Sequence, residues 1–518
     1  MSDPSIEQLM QMAMQFQAAG KLAEVESVCR QILARDSDYT PALQLLGALL
    51  GHTGRHEQAA EVLSRCVRLD PTDAAAQSTL GIALQLLGHP EKAIEHLSRA
   101  VELQPQAAQM QYNLGKALRD QKRMEEAAIA FGRTVELQRS FSPAWNNLGN
   151  TLRDLGRLEE AVTCYQTDLE LRPNNPHTLH NMGITYRELL RLAEAMRCFD
   201  TALTFEPGYN ECRLSRAMLL LLEGQLLRGW NEYESRFDVP RTKARREYTQ
   251  PAWDGSDPEG RTILLYSEQG FGDAIQFVRY APLLAQRNVT VIIECQPELR
   301  ELFASLRGVE QVICPGDELP DFDAYRGMLS MPLTFGTTLE TIPAEGPYLR
   351  ADRAKVRRWR KIIEPGGLRV GLVWAGAAGY GNDRNRSLTL ERISRFAQTP
   401  DIRFYGLQKG DAAKQALNPP EGMSVLDLSD ELHDFSDTAA AIENLDLVIS
   451  VDTAVGHLAG ALGKSVWLMI PYFPDWRWML GRVDSPWYPT MRLFRQGARG
   501  DWDGVIDRVA EELKTFAP

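Results

Sequence analysis

The sequence has few cysteines and no close cysteine pair. The seven cysteines are scattered along 518 residues and odd in number, and none lies in a C-x-x-C motif. This pattern argues against a disulfide framework and is typical of reduced thiols. We therefore expect a cytoplasmic protein.

The chain also lacks a long apolar run and an excess of positive charge. No apolar run approaches the roughly 18 residues that a membrane span needs, so we expect no transmembrane segment. The start, MSDPSIEQLMQMAMQF, lacks the basic residues and apolar core of a secretion signal. The formal net charge is -12, which argues against nucleic-acid or anionic-membrane binding, since both require excess Lys and Arg.

What the first half does contain is a regular internal period. Small residues recur at one fixed step, at Gly47, Gly81, Gly115, Gly149 and Gly183, and at Ala59, Ala93, Ala127, Ala161 and Ala195. The pattern resembles the tetratricopeptide repeat (TPR), a helix-turn-helix unit of about 34 residues. We count six units from about Ile6 to Tyr209 and a weaker seventh helix pair to about Phe237. The prediction is a TPR array over 1–237.

Stacked repeats form a superhelix whose first helices line a concave groove. Asparagine, a poor helix former, recurs on these helices at Asn113, Asn147 and Asn181. A carboxamide both donates to and accepts from a peptide backbone. The series resembles the asparagines in the TPR superhelix of O-linked N-acetylglucosamine transferases, which implies that they hold the backbone of an acceptor polypeptide. Arg153, one of a parallel series with Arg119 and Arg187, is a further candidate for that contact. The alternatives are bonds to neighbouring helices for the asparagines and surface ion pairs for the arginines.

After Phe237 the sequence pattern changes from paired helices to alternating strands and helices. Residues 238–260 are polar and contain Pro and Gly, which is typical of a linker. Buried parallel strands are predicted in two series, at 263–267, 289–294, 309–314 and 325–330, and at 368–376, 402–408, 423–428, 445–452 and 465–470. We predict two Rossmann-like lobes, 261–350 and 351–518, with a cleft at the carboxyl ends of their strands.

The turn SEQGFGDAIQF, 267–277, follows the first of these strands. It suggests a dinucleotide site at first sight, but Ile275 occupies the place of the third glycine. An NAD(P) oxidoreductase is therefore a weaker alternative. The turn sets Asp273 at the cleft, where it would serve as a base or would only cap its helix.

The segment SVDTAVGHLAGALGK, 450–464, places a small-residue helix directly after a strand. The N–H groups at such a helix start bind phosphate groups. The strand is expected to end at Asp452, Thr453 to Gly456 to form the turn, and His457 to lie in the first turn of the helix. The alternative is that Asp452 caps the helix and His457 packs at an interface.

The D-T-x-x-x-H-L-A motif and the earlier G-x-G-D motif together resemble the ADP-heptose:lipopolysaccharide heptosyltransferase family, over roughly 260–500. The resemblance implies a GT-B fold and an inverting transfer that uses neither a metal nor a cofactor. It makes Asp273, beside Gly272, the base. It assigns 374–387 to the donor phosphates, with Trp374, Gly376 and either Arg384 or Arg386, where the family usually has a lysine.

Further donor contacts are expected from loops after two later strands. Gln408 and Lys409 follow one strand and are predicted to point at the cleft. Trp476 and Arg477, in PYFPDWRWMLGR, would stack on a base or sugar and balance phosphate charge. Packing between the lobes is the alternative for the tryptophans.

The sequence thus predicts a TPR superhelix followed by a GT-B domain. Bacterial proteins with this combination resemble protein O-glycosyltransferases, including those that modify flagellin. The expected function is transfer of a sugar from a nucleotide sugar to a hydroxyl of a protein held by the TPR groove, with flagellin as one candidate. The alternatives are a scaffold with an inactive α/β domain and an enzyme that acts on a glycan or lipid-linked acceptor.

Overall fold

The computed structural model describes residues 3–242, 246, 248–377, 379 and 383–516. The chain divides into two compact units, Met1–Pro207 and Gly208–Pro518. Among the described residues, no helix is long and apolar enough to cross a membrane.

The first unit consists of helix pairs that repeat at a fixed spacing, as the sequence predicts. Its described residues form twelve helices: α1 Ile6–Ala18, α2 Leu22–Arg35, α3 Thr40–His52, α4 His56–Leu69, α5 Ala74–Leu86, α6 Pro90–Leu103, α7 Ala108–Asp120, α8 Met124–Leu137, α9 Ser142–Asp154, α10 Leu158–Leu171, α11 Pro176–Glu188 and α12 Leu192–Phe205. The first helices of successive pairs touch one another, α3 with α5, α5 with α7 and α9 with α11. The twelve helices form six consecutive pairs between Ile6 and Phe205.

The repeated glycines allow the two helices of each pair to pack closely. A methyl group on Gly149 would lie 2.6 Å from Cε1 of Tyr165, sixteen residues later. The same relation holds for the other repeats, between Gly47 and Leu63, Gly81 and Leu97, Gly115 and Phe131, and Gly183 and Phe199. Each repeat therefore pairs a residue without a side chain with a large buried one.

We expect Gly149→Ala to destabilise the protein. Overpacking a filled core costs about 1–3 kcal/mol, which exceeds the roughly 1 kcal/mol that alanine gains over glycine within a helix. Urea unfolding followed by circular dichroism measures the loss. Gly132→Ala in α8 is the control, because a methyl group there would have no neighbour within 4 Å and should stabilise. An equal gain for both variants would contradict the packing explanation.

The second unit begins with the seventh helix pair, α13 Asn210–Leu222 and α14 Leu226–Tyr233. Here the two small residues are exchanged, with Ala217 in the glycine position and Gly229 in the alanine position. Trp230 is fully buried and donates from Nε1 to the carbonyl oxygen of Thr337 at 3.1 Å. Its ring packs at the edge of Trp476, 5.2 Å away. The seventh pair is therefore part of the core of the α/β unit.

The first sheet of this unit has four parallel strands: β1 Thr262–Tyr266, β2 Thr290–Glu294, β3 Val309–Ile313 and β4 Ala324–Gly327. Their spatial order is β3-β2-β1-β4. The helices among them are α15 Phe271–Phe277, α16 Tyr280–Ala285, α17 Arg300–Phe303 and α18 Met331–Thr334. The strands confirm the predicted alternation to within a few residues.

The second sheet has six parallel strands: β5 Leu368–Val373, β6 Ile402–Gly406, β7 Val425–Asp427, β8 Leu447–Val451, β9 Val466–Ile470 and β10 Met491–Arg495. Their order is β10-β9-β8-β5-β6-β7. The helices are α19 Arg353–Trp359, α20 Asp383–Arg386, α21 Phe435–Glu443, α22 Ala454–Ala461 and α23 Trp502–Leu513. In both sheets the order reverses once, between β1 and β4 and between β5 and β8, and ligands of open α/β sheets bind at such points.

Two elements of this region were not predicted from the sequence. The edge strand β10 was missed because charged Arg492 and Arg495 interrupt its apolar residues. Helix α21 was also not predicted, because its alanine-rich sequence shows no apolar stripe. Between α20 and β6, residues Glu391–Gln398 form a 3₁₀ helix.

The seventh helix pair leads to a prediction about fragments. A chain of residues 208–518 should fold cooperatively, whereas 238–518 should not, because it loses Trp230 and removing a large buried aromatic side chain alone costs about 3–5 kcal/mol. Thermal unfolding and limited proteolysis distinguish the two fragments. Equal stability of both would show that α13 and α14 are dispensable.

Candidate functional site

The crevice between β1 and β4 is filled by the chain itself. Arg236 lies in the 3₁₀ helix Glu234–Asp238 that follows α14, and it is fully buried. It donates to both oxygens of Glu268, at 2.8 and 3.0 Å, and to Oγ of Ser330 at 2.6 Å. A methyl group on Gly327 would lie 1.5 Å from Oε1 of Glu268, so glycine is required beside this ion pair.

The ion pair decides what this crevice can do. Burial alone would lower the pKa of Arg236, but the carboxylate of Glu268 raises it. Burial raises the pKa of Glu268, and the guanidinium opposes that rise. These side chains occupy the switch point of the first sheet, and the candidate site is built on the turn after β1.

We expect Arg236→Met to destabilise the protein by about 3–5 kcal/mol, because it leaves the buried Glu268 carboxylate unpaired. Adding Glu268→Gln should restore part of the loss. Denaturant unfolding of both variants measures it. Arg157→Ala serves as the control, because its partner Glu160 is exposed and such surface pairs contribute about 0–1 kcal/mol. A small effect of Arg236→Met would mean that the pair does not close the crevice.

Asp273 occupies the third position of α15, in the turn after β1. Its Oδ2 accepts from the backbone N–H of Gly270 at 3.0 Å, and its Oδ1 accepts from Arg477. The capping alternative is therefore realised, yet 21% of the side chain stays exposed. Burial raises the pKa of Asp273, Arg477 opposes the rise, and Asp475 adds to it.

Arg477 joins this turn to the loop after β9. Its side chain is 8% exposed. Besides Asp273 it donates to Oε1 of Gln276 at 2.5 Å and to Oδ1 of Asp475 at 2.9 Å. Its guanidinium lies over the ring of Trp476, 4.2 Å from the centroid. A single cation thus links two carboxylates from the two lobes.

The tryptophans of this loop lie in the core. Trp476 packs with Trp230, Phe277 and Trp487, and Trp478 is stacked on the His457 ring at 5.1 Å. Both indoles are buried. The structure thereby supports packing, the alternative to stacking on a base or sugar.

The start of α22 meets the Asp273 turn. Thr453 is the cap residue and Gly456 packs on Ser450 and Leu468. A methyl group on Gly272 would lie 3.0 Å from Cδ2 of His457, so the two sequence motifs are in contact.

His457 is buried and neutral. Burial and the surrounding arginines hold its pKa well below the usual value of 6.5. Its Nδ1 is 2.9 Å from the Tyr488 hydroxyl, and its Nε2 is 3.9 Å from Oδ1 of Asp452. Burial, with a contribution from Asp475, raises the pKa of Asp452 to about 6.

Of the two candidate arginines after β5, Arg386 reaches the switch point. It donates from Nη1 to the carbonyl oxygen of Asp452 at 2.8 Å and from Nε to Asp383 at 3.2 Å. A methyl group on Gly376 would lie 2.4 Å from its guanidinium. Arg384 is exposed. Within the predicted phosphate segment, residues 378 and 380–382 lie outside the described residues.

Three other predicted donor residues have structural roles in their surroundings. The carboxamide of Gln408 accepts from the backbone of Trp374 and Ala375, at 3.1 and 2.9 Å. Lys409 donates to the carbonyl oxygens of Ser429 and Leu432, at 2.6 and 2.9 Å. The Trp374 ring is buried in the core of the second sheet. Gln408 thereby holds the loop after β5, and Lys409 holds the segment after β7.

In the repeat unit, the asparagine series makes bonds between neighbouring helices. Asn147 accepts from Arg119 at 2.9 Å and donates to the Tyr112 hydroxyl at 2.9 Å. Asn113 and Asn181 donate to Ser78 and Asn146, at 3.5 and 3.4 Å. These contacts favour the alternative that the asparagines join the repeats.

Arg153 differs from the asparagines. Its side chain is 20% exposed. Within the described residues, its Nη1 is buried without a hydrogen-bond acceptor. A ligand on the first helices of the repeats could supply that acceptor.

Several residues of this site were not predicted from sequence. They are Arg236, Glu268, Gln276, Asp475 and Tyr488. Asp475 could have been predicted, because a buried Arg477 needs a carboxylate partner and Asp475 lies only two residues before it. The contacts of Arg236 and Tyr488 join segments far apart in the chain and leave no local signal.

Comparison with known proteins supports the repeats. Tetratricopeptide-repeat family models match residues 16–82 and 78–143, and a TPR-repeat model matches residues 149–189. The first unit therefore consists of tetratricopeptide repeats.

One curated relative is protein FlbA of Caulobacter vibrioides, 28% identical over 342 residues. The match covers 59% of this chain and 55% of that protein, so the chain spans about half the length of this relative. Because 59% of the chain is more than the repeat unit contains, the match includes part of the second unit.

Solved structures with similarity include YrrB, described as a TPR protein with an unusual peptide-binding site. It is 20% identical over 36% of this chain and 97% of that chain, with a TM-score of 0.34. Pseudomonas aeruginosa pilF is 22% identical over 40% of this chain and 93% of that one, with the same TM-score of 0.34. Scores this low support no argument about function.

Proposed function

We propose that the chain is an inverting GT-B glycosyltransferase that moves a sugar from a nucleotide sugar to a hydroxyl of a protein. The observation that supports this most is the contact between its two motifs. Gly272 and His457, which belong to different lobes, approach so closely that a methyl group on Gly272 would lie 3.0 Å from the imidazole. A candidate base and a candidate phosphate site thus meet, as a displacement at a sugar carbon requires.

The donor phosphates would bind where β5 and β8 separate. The first N–H groups of α22 have no acceptor within the helix and favour an anion. Arg386 contributes positive charge beside Asp452. Neutral His457 has one N–H to donate. Together these groups would stabilise the charge that develops on the leaving phosphate.

Asp273 would take the proton of the acceptor hydroxyl. The oxygen so released forms a bond to the anomeric carbon, while the bond from that carbon to the phosphate breaks on the opposite face. Each carboxylate oxygen has two lone pairs, so the bonds to Gly270 and Arg477 leave capacity for the proton. Burial, which raises the pKa of Asp273, makes it a stronger base than an exposed aspartate.

The repeats would recruit the acceptor polypeptide. Tetratricopeptide repeats suit a peptide or protein partner because their first helices form a continuous surface. The buried Nη1 of Arg153 is a donor that a polypeptide carbonyl or carboxylate would satisfy. Flagellin is one candidate acceptor. A glycan or lipid-linked acceptor, and a scaffold without activity, are the alternatives.

Replacing Asp273 by Asn tests this function. We expect transfer, measured as nucleotide released from ADP-, UDP-, GDP- or CMP-linked sugars with candidate acceptors, to fall about 10²–10⁴-fold, the usual contribution of a general base. In the wild type the rate should fall with acid as Asp273 is protonated, at a pH above its usual pKa of 3.8.

The control is Asp501→Asn. Asp501 also caps a helix, by accepting from Gly504 at 2.9 Å, but it lies outside the proposed site. Its replacement should leave the rate unchanged. If the wild type consumes none of these donors, the proposed transfer to a protein is contradicted; if Asp273→Asn keeps full activity, another group is the base.

A further inference from the structure

Tyr488 is held rigidly behind His457. Its hydroxyl lies 2.9 Å from Nδ1 of His457, and its ring is buried. A methyl group on Gly460 of α22 would lie 2.6 Å from the ring, so glycine is needed for the ring to sit there. The guanidinium of Arg279 lies over the same ring, 4.7 Å from its centroid.

Arg279 makes the surroundings of His457 positive. It is buried, and its hydrogen bonds among the described residues go to the carbonyl oxygens of Gln276, Trp487 and Pro343, at 2.7, 2.8 and 3.3 Å, and to the Tyr348 hydroxyl at 3.1 Å. Uncharged groups therefore solvate this cation. Such a site disfavours a second positive charge, and His457 keeps a single proton on its ring.

A neutral imidazole has one donor and one acceptor nitrogen. Oδ1 of Asp452 lies 3.9 Å from Nε2 and favours a hydrogen on that nitrogen. Nδ1 then carries a lone pair that can accept a hydrogen bond from the Tyr488 hydroxyl. The hydroxyl of Tyr348 competes as an acceptor for this hydrogen, because it interacts with the Tyr488 hydroxyl and its own hydrogen goes to the carbonyl oxygen of Ile275 at 2.9 Å. If the phenol hydrogen went to Tyr348, Nδ1 of His457 would carry the proton.

We propose that Tyr488 is a positioning residue, which donates to Nδ1 of His457 and keeps its hydrogen on Nε2. The donor edge of the imidazole then lies beside Asp452 and the Gly272 turn. The role of that edge toward a leaving phosphate rests on the proposed function, whereas the tautomer does not. Tyr488 touches neither substrate nor reacting atoms in this account.

The test is the tautomer of His457 in the full chain. The ¹³Cδ2 chemical shift of ¹³C-labelled histidine distinguishes the two neutral tautomers, and His457→Asn identifies the signal. We expect the Nε2–H shift in the wild type and a move toward the Nδ1–H shift in Tyr488→Phe. An Nδ1–H signal in the wild type overturns the proposal even if the variant does not fold, and so does an unchanged signal in Tyr488→Phe.

Tyr280→Phe is the matched control. Tyr280 is a buried tyrosine of the same unit whose hydroxyl bonds Thr337 at 2.7 Å, so its variant also loses one buried hydrogen bond. Its melting temperature should fall as much as that of Tyr488→Phe, while the His457 signal stays in place. A similar change of tautomer in both variants would mean a general loosening of the core and would overturn the proposal.

Inorganic pyrophosphate separates this inference from the proposed function. It should shift the His457 signal of the wild type, and its Kd should rise about three- to tenfold in Tyr488→Phe, the value of one hydrogen bond. An equal Kd in both overturns the positioning role. If pyrophosphate leaves the wild-type signal in place and no nucleotide sugar is consumed, the proposed function fails. The tautomer measurement then still tests the positioning role of Tyr488.

Discussion

The bond between Arg477 and Asp273 is the constraint on which the site depends. A guanidinium that is 8% exposed is tolerated in a core only where carboxylates and amide oxygens surround it. Asp273, Asp475 and Gln276 supply these, and two of the three lie on α15 of the other lobe. The loop after β9 is thereby tied to the turn after β1. The guanidinium lies over the buried indole of Trp476, so the side of the site that carries Asp273 is closely packed.

A second buried arginine extends the same principle to the seventh helix pair. Arg236 comes from the segment that ends this pair, yet its carboxylate partner Glu268 belongs to the turn after β1. The helix pair has the repeat spacing but the core contacts of the α/β unit, through Trp230. The boundary between the units therefore falls one repeat earlier than the sequence pattern ends. A helix pair that keeps the repeat pattern can thus serve the core of a different fold.

The repeats were readable from sequence because their determinants are local. Each glycine contacts a large residue sixteen positions later, so both partners of the packing contact lie within one repeat. The turn conformation also repeats: Lys122 and Leu190 adopt positive φ at positions where other repeats have glycine, which shows that stacking enforces the turn even against the cost of a side chain. The candidate site was only partly readable. Asp273, Arg386 and His457 follow strands and could be placed at a crevice, but burial of Trp476 and Trp374, and the partners of Gln408 and Tyr488, depend on contacts between distant segments.

Asp273 can cap its helix and also serve as the proposed base. The capping bond favours the role as a base, because it orients the carboxylate. The bond from the Gly270 N–H fixes the carboxylate in one rotamer, and Arg477 fixes its other oxygen. A base held in this way loses little freedom when an acceptor hydroxyl arrives, which is the advantage of a preorganised group. Burial raises its pKa while the guanidinium limits the rise, so the carboxylate is more basic than that of an exposed aspartate. The cation that ties the lobes together thus also adjusts the proposed base, and a change in the position of Arg477 would alter both at once.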